Sequence, residues 1–196
     1  MSQTSHVSTD VEWTPKAREI LSAASELFYA QGIHAVGVEA IAARAGVTKR
    51  TLYDRFGSKD RLVVEYLHAR DVTWREYLTD HLTGVPDDPR ARLAAVFDAT
   101  REWAAERNPK GCSMINAYAE ISDPDHPAYP IIVGQKRWML ELFAGIAADA
   151  VARNPRQLGE RLLMVHDGAL VTAGMGVVPD AYEQARAMAL MLLDAG

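Results

Sequence analysis

The chain has one cysteine, Cys112, in 196 residues, which excludes an internal disulfide framework. No apolar run approaches the ~18 residues of a membrane-spanning helix. There is no lysine or arginine before Lys16, while Asp10 and Glu12 lie ahead of it, so the start of the chain does not read as a signal peptide. A cytoplasmic protein without membrane association is expected. The same lack removes any basic N-terminal arm, and residues 1–13 are expected to be a disordered tail. Strand-like alternation, internal repeats, a glycine-rich phosphate loop, paired Cys or His ligand spacing and a nucleophile elbow are also missing. No cofactor, metal or catalytic residue is therefore expected.

What is present is helical periodicity, with 48% apolar residues, enough for a core. Between Ile41 and Leu62 the chain reads IAARAGVTKRTLYDRFGSKDRL. Val38, Ile41 and Ala42 form a short apolar stripe, which Ala45-Gly46 closes with a residue that enters the left-handed region cheaply. Val47 is placed to fill the angle between two helices, and Thr48 is a good N-cap. Leu52, Tyr53 and Phe56 repeat at the spacing of a second helix's buried side, which Gly57 stops. A short glycine-containing turn between two such helices is the geometry of a helix-turn-helix that docks on DNA.

Charge supports this reading. Lys49 and Arg50 fall in the first turn of the second helix, where the helix dipole disfavours cations by roughly 0.3–1 kcal/mol each. Lys59 repeats the anomaly at the start of a third helix that Ser58 can cap. Folding alone would not select these residues, whereas cations beside helix N-termini make a phosphate site and can reach base edges. The net charge of −5 divides accordingly. Residues 14–61 hold eight cations and five anions, +3 locally, leaving −8 elsewhere. The basic footprint is local, and the acidic remainder limits nonspecific affinity for DNA.

The segment from Thr14 to about Leu67 resembles the DNA-binding domain of TetR-type transcriptional regulators, with IA, AGV, TLY, F, SK and L in that family's order. The resemblance implies an all-α homodimer. Its helix-turn-helix domain, 14–60, would bind a palindromic double-stranded DNA operator, and its domain 61–196 would bind a small-molecule effector and dimerise. Carried over by position, Tyr53 and Lys59 correspond to phosphate contacts, while Thr48, Lys49, Arg50 and Thr51 fall where the family reads bases. Gly37, Val38, Asp54 and Phe56 complete the expected DNA-contact set. Two departures matter. Val36 and Gly37 stand where the family usually has hydroxyl residues, which leaves main-chain N–H donation there, and Arg50 stands where many members keep a small residue. The implied function is a repressor released by its effector.

Around the motif, Thr14-Pro15 opens a helix with Ala17, Ile20, Leu21, Ala24, Leu27 and Phe28 on one face, ended by Gly32. A long helix from Lys59 toward His81 is the natural lever between domains. Further helices are expected from Asp88-Pro89 to Asn108-Pro109 and over Cys112 to Ile121. Another runs from Pro130 to before Asn154-Pro155, with Trp138, Leu142, Phe143, Ile146 and Ala150 as its face. Two more carry His166, and Ala181 through Leu192. The Ala, Gly and Met stripes of the last two suit either an intrachain core or a dimer interface. Trp103, Met114, Asn116, Tyr118, Trp138, Phe143 and His166 are candidates for an effector cavity, and Cys112 is a candidate sensor of oxidants or electrophiles. Two rivals are a dimeric DNA-binding protein without a ligand and a helical enzyme using His126 or His166. The second is disfavoured because His126 lies in a proline-rich loop and because adjacent residues such as His166 and Asp167 point to different helix faces.

Overall fold

The computed structural model describes residues 13–107 and 109–196; the expected tail, apart from Trp13, and Asn108 of one expected helix stop lie outside the described residues. Among the described residues there are nine α-helices and no strand: α1 (Pro15–Gln31), α2 (Val38–Arg44), α3 (Lys49–Phe56), α4 (Lys59–Thr83), α5 (Pro89–Arg107), α6 (Ser113–Glu120), α7 (Tyr129–Asp149), α8 (Pro155–Gly174) and α9 (Ala181–Ala195). None is long and apolar enough to cross a membrane. The chain divides into two compact units, 1–68 and 69–196, with the division inside α4.

The first unit is built from local signals. Thr14 caps α1, its Oγ1 accepting from Ala17 N at 3.3 Å, with Pro15 in the first turn. Ala17, Ile20, Ala24 and Phe28 of α1 are buried with Ile41 and Ala42 of α2, Leu52 and Phe56 of α3, and Leu62, Val63 and Tyr66 of α4. Phe28 and Tyr66 meet with ring centroids 5.6 Å apart. An exposed Arg44–Glu26 ion pair of 2.6 Å links α2 to α1.

In the second unit, α7 packs on α8, α8 on α9, and α5 on both α7 and α9. Asp88 caps α5, accepting from Ala91 N at 2.7 Å. The core gathers Trp74 and Leu78 of α4, Val96, Phe97 and Trp103 of α5, Met139, Phe143 and Ile146 of α7, Leu158 and Leu162 of α8, and Ala185 and Ala189 of α9. The α7 stripe is rotated from the expected one: Ile132, Gln135, Met139, Phe143, Ile146 and Ala147 face inward. Trp138 and Leu142 flank this stripe, and the Trp138 ring is covered by the Arg75 guanidinium at 4.7 Å. Where α7 and α8 cross, a Cβ on Gly159 would stand 2.8 Å from Ala144 N, so only glycine allows this approach.

Candidate nucleic-acid interface and ligand cavity

The turn between α2 and α3 forms because Gly46 takes φ +63°, where a side chain would be strained. Val47 N then donates to Ala42 O at 3.0 Å. Thr48 caps α3, its Oγ1 accepting from Thr51 N at 3.1 Å and lying 2.9 Å from Thr51 Oγ1. Of the three residues expected on the buried side of α3, Leu52 and Phe56 are buried but Tyr53 is exposed. Leu52 and Phe56, one turn apart, share the inner face, and position 53 faces outward. Val38 and Phe56, both expected at the DNA, are only 7% and 3% exposed. Their side chains belong to the core, leaving only main chain to meet a phosphate.

The outward face of the motif is charged and arranged unevenly. Arg50 is 91% exposed, with one loose i,i+4 ion pair to Asp54 at 3.9 Å. Lys49 is instead held by the Glu39 carboxylate of α2, with its ammonium 5.9 Å from the Tyr53 ring. The hydrogen bond between Lys49 and Glu39 raises the lysine pKa and lowers that of the carboxylate. The same contact offsets the unfavourable dipole at the first turn of α3. Lys59 opens α4 beside Ser58, whose Oγ accepts from Arg61 N at 3.0 Å, and its ammonium lies 6.0 Å from the Phe28 ring. Gly37 is the N-cap of α2 and supplies no side-chain hydrogen bond.

The second unit contains a half-open cavity of ≈ 40 Å³. Its lining includes Trp103, Met114 and His166 from the sequence-derived set. Four other candidates lie elsewhere. Asn116 is exposed, its Nδ2 donating to Lys110 O at 3.0 Å. Tyr118, also exposed, has its ring 6.2 Å from that of Tyr129. Trp138 lines a separate groove with Leu78, Leu82 and Arg92. Phe143 is wholly buried against Phe97 and His166. Cys112, the candidate sensor, also lines the cavity, together with residues that sequence reasoning missed: Arg70, Asp71 and Trp74 of α4, Thr100 of α5, Ser113 at the start of α6, Gln135 and Lys136 of α7, and Leu170 of α8. Thr100 and Gln135 were detectable as polar residues within otherwise apolar helical stripes.

A polar chain runs along the wall. Thr100 Oγ1 donates to Val96 O at 2.7 Å and lies 3.1 Å from His166 Nε2. His166 Nδ1 is 3.2 Å from Asp167 Oδ1. This corrects the expectation that these two side chains point apart: the carboxylate folds back on its neighbour and accepts from Lys136 Nζ at 2.7 Å. Burial pushes the His166 pKa below its usual value against the opposing pull of Asp167. Burial disfavours the Asp167 charge, yet His166 and Lys136 hold its pKa below the ordinary one. Lys136 also donates to Cys112 Sγ at 3.5 Å. Burial disfavours its charge, but Cys112 and Asp167 outweigh that and raise its pKa. Ser113 Oγ and Gln135 Oε1 are buried without a hydrogen-bond partner. His126 belongs to a turn, its Nδ1 accepting from Ala128 N at 3.1 Å. Among the described residues no cluster of His, Cys, Asp or Glu is placed to hold a metal.

Residues 20–66 match the family described as bacterial regulatory proteins, tetR family. The chain is similar to a TetR-type transcriptional regulator from Streptomyces avermitilis, with a TM-score of 0.81, 30% identity, and coverage of 93% of this chain and 98% of that one. A TetR-family transcriptional regulator from Streptomyces coelicolor also gives a TM-score of 0.81, with 28% identity over 92% of this chain and 93% of the other. In sequence, the HTH-type transcriptional activator FasR of Mycolicibacterium smegmatis is 29% identical over 156 residues, which span 76% of this chain and 65% of the relative.

Proposed function

The chain belongs to the TetR family of bacterial regulatory proteins and is a transcriptional regulator, and from that premise we propose that it acts as a homodimeric repressor of a palindromic operator, released by a small-molecule effector. The observation that carries the DNA reading is the N-terminal turn of α3. There Arg50, 91% exposed, stands beside Lys49, with the exposed Tyr53 one turn further on. Arg50 reads guanine through O6 and N7, Lys49 joins it once released from Glu39, and Tyr53 and Lys59 hold phosphates.

Dimerisation is supported by the outer faces of α8 and α9, where Met164, Val171, Met188 and Met191 are exposed. A groove of ≈ 390 Å³ between these helices is lined by Val165, Ala169, Ala181 and Ala185. Such a face costs apolar exposure in a monomer and suits a second copy. Two half-sites about 34 Å apart on DNA then explain why a short helix-turn-helix suffices.

The unpartnered Ser113 and Gln135 oxygens favour an effector over a ligand-free dimer, because such groups cost free energy until something binds them. Three cavity residues, Arg70, Asp71 and Trp74, lie on α4, the helix that begins with Lys59. An effector that prefers one disposition of this helix biases DNA binding, and moving the equilibrium from 1:99 to 99:1 takes about 5.5 kcal/mol of differential affinity. Selection of bound duplexes from a random DNA pool tests the proposal. An enriched palindrome is expected, and no enrichment by a folded dimer would refute it. Because FasR is named an activator, activation is the second reading, and the position of the enriched site relative to a promoter separates the two.

A further inference from the structure

The cavity is small for a ligand held by contact alone. At ≈ 40 Å³ it is far below the ~300–1,000 Å³ of pockets for drug-sized molecules. A ligand of a few heavy atoms, bounded at about 1.5 kcal/mol each, reaches the ~10⁴-fold difference needed to reverse a two-state equilibrium only if nearly all of its binding free energy favours one state. A covalent bond supplies that difference more readily than packing.

The wall contains a nucleophile in a suitable setting. Cys112 is the N-cap of α6, a helix end that receives no side-chain cap, and it is 9% exposed along the cavity. The Lys136 ammonium reaches its sulfur at 3.5 Å. A helix N-terminus and a cation together stabilise negative charge developing on sulfur. Independently, Ser113 and Gln135 line the same cavity, are 6% and 5% exposed, and leave Oγ and Oε1 unpartnered. The Ser113 hydroxyl calls for a ligand with an acceptor atom, whereas Gln135 Oε1, itself an acceptor, is not met by a carbonyl.

We propose that this cavity captures a small α,β-unsaturated carbonyl compound covalently on Cys112. The proposal rests on the reading of the cavity as the effector site and names the effector's chemical class. Sγ, having lost its proton, bonds to the β-carbon, and the C=C pair moves onto the carbonyl oxygen, where Ser113 Oγ can donate. The enolate then takes up one proton at the α-carbon, so that S–H has added across C=C. Nothing leaves, and nothing is oxidised or reduced. The new atoms meet a tightly packed wall. A Cβ on Gly111 would stand 2.7 Å from Leu170 O, and one on Gly174 would stand 2.8 Å from Gly111 N. The segment preceding Cys112 therefore cannot retreat toward α8, and the adduct presses on Lys136 and on the α4 side chains opposite.

But-3-en-2-one is the probe, applied to the full-length chain and followed by intact mass. The single cysteine makes the assignment direct. Cys112 is expected to react at least ~10-fold faster than N-acetylcysteine at the same pH, Lys136→Gln to lose most of that advantage and Lys136→Arg to recover it. Cys112→Ser is expected to take up no label in the cavity. Adduct formation is expected to weaken binding to the selected duplex at least ~10-fold. Thermal melts of the variants establish that they fold. A rate no faster than the free thiol, or an adduct that binds DNA undiminished, would overturn the proposal. The adduct is scored without DNA, so a chain that selects no duplex defeats the regulator reading while the reaction rate still judges the site.

Discussion

Replacing Arg50 by alanine separates base reading from charge. The side chain is 91% exposed and its one ion pair, to Asp54, spans 3.9 Å. Exposed pairs of this kind contribute about 0–1 kcal/mol, and removing a cation from the first turn of α3 relieves an unfavourable dipole contact, so the fold should be unaffected. On the operator the expected loss is roughly 1–3 kcal/mol per half-site, or roughly 2–6 kcal/mol for a symmetric dimer, which is at least about 30-fold in Kd. A base contact neutralises no phosphate, so the dependence of binding on salt should keep its slope. Lys59→Ala should do the reverse: similar losses on all sequences, and a slope reduced by about 2 for two lost phosphate contacts. Fluorescence anisotropy on the selected duplex and on a scrambled one, between about 50 and 200 mM salt, reads both quantities. Equal losses for Arg50→Ala on the two duplexes, or a slope change matching that of Lys59→Ala, would refute the base-reading assignment.

Glu39→Gln should free Lys49 and tighten binding to random DNA several-fold with a steeper salt slope; unchanged affinity would show that the pair does not compete with DNA. Met188→Glu together with Met164→Glu should yield folded monomers by analytical ultracentrifugation, and a persistent dimer would place the interface elsewhere. Gly159→Ala, which sets a Cβ 2.8 Å from Ala144 N, should cost about 1–3 kcal/mol, a fall in Tm of roughly 2–12 °C. Acid should also destabilise the fold through His166, whose folded pKa lies below 6.5. In the window between that folded value and 6.5 the unfolded chain binds the extra proton, so stability falls as pH falls, by at most about 1.4 kcal/mol per pH unit for one group. His166→Gln should flatten that part of a Tm-versus-pH profile, and a profile as steep as wild type would locate the acid sensitivity in other groups.

The helix-turn-helix was legible because its determinants are local. Thr48, Gly46 and Ser58 act on residues within one turn, and the misplaced cations at 49, 50 and 59 are anomalous against the helix dipole alone. Tyr53 was assigned to the wrong side because apolar spacing cannot tell a core tyrosine from an outward one. The cavity was poorly legible because residues from α4 through α8 form it. Aromatic content suggested Tyr118, Trp138 and Phe143, which pack elsewhere, while Gln135 and Thr100 carried the signal as polar residues on buried stripes. The contact of His166 with Asp167 was missed for a different reason. Side-chain directions on an ideal helix separate neighbours, but Lys136 of α7 gives the carboxylate a reason to fold back.

The Glu39–Lys49 pair also bears on how quickly a site is found. A regulator must sample a great excess of irrelevant DNA, and each stop lasts longer as more cations grip the backbone. On the proposed reading of the motif, Lys49 occupied by Glu39 leaves a passing encounter held by fewer charges, and it ends sooner. Because an exposed pair contributes only about 0–1 kcal/mol, a base contact by Arg50 would be enough to draw Lys49 out of it. The pair would then shorten visits to wrong addresses, trading a little binding strength for speed of search.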